Sequence, residues 1–348
     1  IMKGIIWFRS DLRIEDNPAL LNATQSCDEL ISIYFFSKDQ WALHNESNVK
    51  LEFLHNNLIL LEQALKKLNI PLCVIETKDF KSLSDDLVAF AQLHSVKHIY
   101  WNNEFGVNEE KRDTSVLNAL KITNISSSNF IDQVIYEPGF LKTGQGKPFS
   151  VFTPFKRRWI ENFSIDCLDL EKPTKSLKQI KLTSDLSPLN FKKKHSVDIS
   201  LWPAGETHAL DRLSTFLALK VNSYSQSRND PILDGTSRIS PYLALGIISP
   251  KRCILEGLKL NNFEFTSGNK GICKWIDEIV WREFYRNIMF SFPKVSMNLP
   301  FQDYTNNIQW RNSERELKDF FQGKTGFPIV DAGIRQMLKE GWMHNRLR

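Results

Sequence analysis

The chain has 348 residues, 42% of them hydrophobic, with a net charge of +5 and a pI near 8.8. That length exceeds one typical core and predicts two domains; no apolar run is long enough to cross a bilayer, and a modest basic excess permits nucleic-acid binding without establishing it, because clustering decides. The five cysteines, Cys27, Cys73, Cys167, Cys253 and Cys273, form no C-x-x-C pair and fit a reduced cytoplasmic setting better than a disulfide frame or a zinc site.

Met2-Lys3-Gly4 leads straight into an apolar run with no basic leader, so no secretion signal is expected. Gly4-Ile5-Ile6-Trp7-Phe8 predicts a buried strand, and residues 31–36, 72–75 and 98–101 predict three more. Between the second and third, Leu51, Leu54, Leu58, Leu61, Leu65 and Leu68 recur at three- and four-residue steps, which places them on one helical face. A weaker helix follows Asp79 through Leu83, Leu87, Phe90 and Leu93. Strand–helix alternation with continuous apolar strands argues for a doubly wound parallel sheet covered on both faces.

From about Asp166 to Val197 the chain holds Pro173, Pro188, several serines and the run Lys192-Lys193-Lys194, with little periodicity. This reads as an interdomain linker, and the basic run as a solvated one. After Trp202-Pro203 the pattern is helical. Leu210, Leu213, Phe216 and Leu217 share a face, residues 243–248 open another helix, and residues 276–290 form a long one. The expected class is α/β followed by all-α, with no internal repeat.

Several short motifs fail. Gly144-Gln145-Gly146-Lys147 lacks the upstream glycine of a phosphate loop and is followed by Pro148. No G-x-G-x-x-G follows the first strand, so this is not an ordinary dinucleotide-binding sheet. His94 and His98 are separated by a strand boundary, and no metal site is expected.

Five ordered segments resemble the photolyase/cryptochrome family. They are residues 7–13 (WFRSDLR) with Asp16-Asn17, residues 234–241 (DGTSRISP), residues 281–286 (WREFYR), residues 323–332 (GKTGFPIVDA) and residues 341–348 (GWMHNRLR). The match spans the chain and is most similar to class I cyclobutane pyrimidine dimer photolyases. The resemblance implies an α/β antenna domain over 1–135, a linker over 136–201 and a helical FAD- and DNA-binding domain over 202–348. It implies light-driven repair of UV-damaged DNA by an enzyme that passes an electron from excited reduced FAD to a flipped-out dimer.

The implied site residues each have a plainer reading. Thr236, Ser237, Arg238, Ile239 and Ser240, with Tyr224 and Trp275, would hold the flavin; taken alone, the hydroxyls would only cap a helix. Trp281 would be an aromatic platform for the dimer. Glu278 would be its hydrogen-bond partner, kept protonated by burial between apolar walls; alone, the two residues read as a core anchor beside a solvated acid. Arg228, Arg282, Arg286 and Arg346, with Tyr285, would contact DNA, although any single arginine is more often a surface ion pair. Asn345 after His344 resembles the cyclobutane-dimer enzymes, where six–four enzymes have a histidine. Trp310 resembles the surface end of a tryptophan electron wire. The resemblance places His44, Asn108 and Glu109 where folate-type antenna enzymes have contacts, with the family's basic residue replaced near Met297; methenyltetrahydrofolate is the first choice of antenna, with a deazaflavin or no antenna as the alternatives.

Family members continue beyond the motif in which this chain ends, so an incomplete flavin pocket and weak or no flavin binding are expected. The alternatives are a cryptochrome-like flavin photoreceptor and an inactive DNA-binding remnant. A monomer with no membrane partner is expected.

Overall fold

The computed structural model describes residues 2–170, 172–176, 178–189 and 194–348. Of the basic run, Lys192 and Lys193 lie outside the described residues. Strands β1 (Lys3–Phe8), β2 (Glu29–Phe36), β3 (Leu72–Glu76) and β4 (His98–Asn102) form where the apolar runs place them. A fifth, β5 (Ser126–Phe130), is polar and half-exposed, and no apolar run announces it. Its place comes from backbone pairing with β4, which needs no particular side chain. The sheet is wholly parallel in the order β3-β2-β1-β4-β5.

The two-residue strand period sends alternate side chains to opposite faces. Ile6 and Phe8 of β1 join the core that holds Leu54 and Leu58, whereas Ile5 and Trp7 join the core that holds Leu87 and Val116. Helices α1 (Pro18–Ser26), α2 (Lys38–Leu43), α3 (Asn48–Lys66), α4 (Leu83–Leu93) and α5 (Val107–Ile122) belong to this half. In α3, Leu54, Leu58, Leu61 and Leu65 are buried as the spacing requires. In α4 the buried stripe is Leu83, Leu87 and Ala91, while Leu93, expected on that face, is 78% exposed. The four-residue step from Leu83 reaches Ala91, not Leu93.

The segment expected to be a linker is more ordered than its composition suggests. It contains α6 (Phe152–Glu161), whose Phe155 and Trp159 are buried. Farther on it straps the α/β half through backbone bonds: Ser176 N–H donates to Leu68 O at 3.0 Å, Lys178 N–H donates to Asp28 O at 2.9 Å, and Asp185 bridges to Cys73 beside β3. Such bonds leave no hydrophobic period in the sequence.

The remaining helices are α7 (Glu206–Leu219), α8 (Tyr224–Ser227), α9 (Ser240–Ala244), α10 (Pro250–Leu260), α11 (Lys270–Ser291), α12 (Glu314–Phe321) and α13 (Pro328–Glu340). Residues 243–248, expected to open a helix, instead end one. The chain turns at Gly246 (φ +63°), where a Cβ would lie 2.1 Å from Ser10 O; only glycine permits that approach. Helix α10 restarts at Ser249, whose hydroxyl accepts from Arg252 N–H at 2.9 Å, with Pro250 in its first turn.

That close approach joins the two halves. The turn after β1 inserts into the helical half: Leu12 N–H donates to Leu245 O at 3.1 Å, and Ile14 and Glu15 N–H groups donate to the Glu206 carboxylate at 2.9 and 3.1 Å. Buried Arg13 pairs with Asp132 and donates to Gly246 O at 3.0 Å. The opening motif is thus a structural pin between the halves.

Candidate functional site

Helix α8 packs against α11, and this contact gathers residues far apart in sequence. Phe216 of α7 is the hub: its ring lies 5.7 Å from that of Tyr224 and 5.4 Å from that of Trp275. All three are buried. Arg228, at the end of α8, sits 5.8 Å over the Tyr224 ring and forms an ion pair with Glu278, one turn after Trp275 on α11. Burial and the Glu278 charge push the Tyr224 hydroxyl up to about 12. The expected apolar walls around Glu278 are absent: its side chain is 31% exposed and a guanidinium faces it.

Beside this wall lies an open cleft of about 450 Å³, lined in part by Arg212, Phe216, Lys220, Thr236, Ser237 and Arg238. Its volume is that of a small-molecule site. The helix that follows, α9, is five residues long with no side-chain cap, so Thr236 and Ser237 are not spent on capping it. Ser240 is exposed at its start and Ile239 is buried in the core. Arg238 adopts the left-handed region (φ +48°), which turns its side chain to Glu340 at 2.9 Å and over the Trp342 ring at 4.6 Å. Lys220, paired with Asp234, and Arg212 and Arg238 outnumber the acids Asp211 and Asp234 around the cleft. Together with two hydroxyls, this donor set suits the phosphate end of a dinucleotide such as FAD.

The last motif closes one side of the site. Trp202 Nε1–H donates to Glu340 O at 2.6 Å, and Arg346 Nε–H donates to Asn229 Oδ1 at 3.0 Å, next to Arg228. Buried His344 carries an Nε2 with no hydrogen-bond partner among the described residues. Burial and the charges of Arg346 and Arg238 lower its pKa. Asn345 is exposed beside Arg346.

Three expectations on α11 are corrected. Trp281 is not a bare platform: its ring stacks on Phe152 at 3.7 Å and 8°, with Tyr285 at 5.5 Å beyond, because α6 was not foreseen in the linker. Arg282 does not face DNA. Its guanidinium donates to Gln133 O and Leu243 O, and burial, with Arg286 beside it, lowers its pKa to about 9. Arg286 is likewise largely buried, and its Nε lacks a partner among the described residues. Tyr285 is 57% exposed, and Trp310 is 77% exposed, on a loop before α12.

Sequence reasoning passed over Glu283. This buried carboxyl accepts from Ile135 N–H at 2.8 Å and from Tyr136 N–H and Trp159 Nε1–H, both at 3.0 Å. Burial outweighs these bonds and pushes its pKa up to about 7. Asn287, one turn on, accepts from Gly139 N–H at 3.0 Å. An acid inside a run of aromatic and basic residues was the one available signal.

On the α/β half, His44 Nε2 and Asn108 Nδ2 lie 3.1 Å apart on the surface. The Glu109 carboxyl folds over Gly106 at the α5 N-terminus, and burial raises its pKa. Met297 ends a short helical turn (Pro293–Met297) that packs against α5.

Residues 4–177 match the family model for DNA photolyase, and residues 275–348 match that for the FAD binding domain of DNA photolyase. Tyr224 and Thr236–Ser240 fall between the two matches, within the alignments to full-length relatives. Deoxyribodipyrimidine photo-lyases of Buchnera aphidicola (strain APS) and Escherichia coli K12 are each 36% identical to the chain. The alignments cover 100% and 99% of this chain, and 72% of each relative. Among solved structures, a class III photolyase from Agrobacterium tumefaciens superposes with a TM-score of 0.89 at 30% identity, covering all of this chain and 71% of that one. An archaeal photolyase from Sulfolobus tokodaii, at 23% identity, shares the fold with a TM-score of 0.82 and 73% of its chain covered.

Proposed function

The chain belongs to the DNA photolyase family, and from that premise we propose that its site repairs cyclobutane pyrimidine dimers in DNA under light. The observation that carries this reading is the convergence of Tyr224, Arg228, Trp275 and Glu278 on one wall beside the cleft bounded by Thr236–Arg238.

FAD, when bound, supplies the electron that opens the dimer and takes it back afterwards. The chain's own residues bind and orient. The Thr236 and Ser237 hydroxyls and the Arg238 and Lys220 cations suit the pyrophosphate. Phe216, backed by Tyr224 and Trp275, forms an apolar wall that excludes water. Glu278 lies on the exposed side of α11, where its carboxyl can meet the hydrogen-bonding edge of an extruded base. Arg228 and Arg346 lie close enough, through Asn229, to grip the flanking phosphates without reading sequence. Asn345 adds an amide beside them. Trp281 offers an edge of its stacked ring, and Trp310 offers an electron entry point at the surface.

The His44–Asn108 contact, with Glu109 near it, supports a folate antenna of the methenyltetrahydrofolate type on the α/β half.

The test is illumination of a duplex bearing a single thymine dimer with the purified protein, alongside its absorption spectrum. With FAD added in excess, to offset the weak flavin binding expected from the sequence, the reading expects a flavin band and dimer loss in light only, with far less loss for Glu278→Gln. Flavin photoreduction without repair would support a photoreceptor instead. Neither flavin nor repair would remove the proposal.

A further inference from the structure

We propose that Arg228 is a positioning residue that holds Glu278 in an ion pair until a DNA backbone phosphate takes the guanidinium and frees the carboxyl for the base. This rests on the reading of Glu278 as the dimer's hydrogen-bond partner.

The two roles drawn from sequence, Arg228 for phosphate and Glu278 for base, compete in the arrangement seen. The pair joins Arg228 Nη1 to Glu278 Oε1, so each group is held on one edge by the other's charge. A guanidinium presents its five N–H donors in one rigid plane, which suits a carboxylate or a phosphate. The pair is open enough for exchange, with the side chains 15% and 31% exposed. Arg228 is also placed to meet a phosphate: it ends α8, and the next residue, Asn229, holds the exposed Arg346. Two cations therefore flank the point where a strand would pass. A backbone phosphate seated on Arg228 would draw the guanidinium away, so the carboxyl would be freer when DNA is in place.

The consequence is unusual for a residue that helps bind substrate. Binding of undamaged DNA must break the ion pair, so removing the Glu278 charge should strengthen that binding. The protein, Glu278→Gln, Arg228→Met and the double variant would be titrated with an undamaged duplex and with the same duplex carrying one thymine dimer, across a salt series. Glu278→Gln should bind the undamaged duplex roughly threefold more tightly, the scale of a half-exposed ion pair. That gain should vanish in the Arg228→Met background. Arg228→Met alone should lower the salt slope by about 0.9, one phosphate contact.

An equal gain in both backgrounds would mean general charge repulsion, and no gain would mean no latch; either overturns the proposal. Arg228→Gln replaces Arg228→Met in the cycle if the latter unfolds. The dimer-containing duplex tests the underlying reading separately. If the unaltered protein shows no preference for it, the assignment of Glu278 to the base fails, while the cycle on undamaged DNA still decides the latch.

Discussion

Helix α11 (Lys270–Ser291) carries two faces that do opposite things with polar groups. The inner face buries Glu283 and Asn287, which clip residues 135–139 of the segment that leaves the α/β half, while Arg282, on the flank nearer Glu278, donates to Gln133 O. The outer face leaves Glu278 31% and Tyr285 57% exposed. Adjacent letters of one motif therefore serve structure and function alternately, because a helix turns 100° per residue. Identity within a motif says little about role; burial separates the two.

The largest expected effect lies on the inner face. Glu283→Ala would strip three donors, two of them backbone N–H groups, of their acceptor. At about 1–3 kcal/mol for each buried donor left unpaired, denaturant unfolding should show a loss of 3 kcal/mol at least, to about that precision. A loss below about 1 kcal/mol would show that water replaces the carboxyl and that the inner face is not a clip.

The pH dependence sharpens the same contrast. The folded pKa of Glu283, about 7, lies above its ordinary 4.5. The neutral form is favoured in the fold, so its contribution is fully present below pH 4.5 and is lost as pH rises through about 7. The swing is on the order of 3 kcal/mol. Stability measured from pH 4.5 to 8 should fall less steeply in Glu283→Gln than in the unaltered chain. Equal slopes in the two proteins would refute the assignment.

On the outer face the signs reverse. Glu278→Gln should lower light-driven repair about tenfold, the scale of one good hydrogen bond to a charged group. It should leave unfolding within about 0.5 kcal/mol. A stability loss as large as that of Glu283→Ala would erase the distinction between faces. The smallest effect is expected where the faces meet: Phe152→Leu removes the ring stacked on Trp281, worth about 1 kcal/mol. Phe152→Tyr, which keeps the stacked ring, should hold the stability and the binding of dimer-containing DNA at the level of the unaltered chain, and Phe152→Leu should lower both.

Much of the fold was legible because burial leaves a period. The runs of β1 to β4 and the leucine stripe of α3 are apolar where the core needs them. Strand β5 was not legible, since Ser126 to Asn129 have no apolar signature and only the exposed hydrogen-bonding edge of β4 recruits them. Nor was α6, whose Phe155 and Trp159 find their partners on α11 more than a hundred residues on. In the site, the 234–241 motif was readable as a motif, but its spatial relation to Phe216 was not.

The sequence by itself determined the order of the two architectures, the family, and the residue types that chemistry on a flavin and a base would call for. The tertiary structure alone decided which of those residues are available. It turned Arg282 inward, covered Trp281 with Phe152, and set Arg228 against Glu278 across 50 positions of chain. The reason is physical: local periodicity records whether a side chain is buried, whereas the identity of its partner depends on how distant segments dock, and no local pattern encodes that.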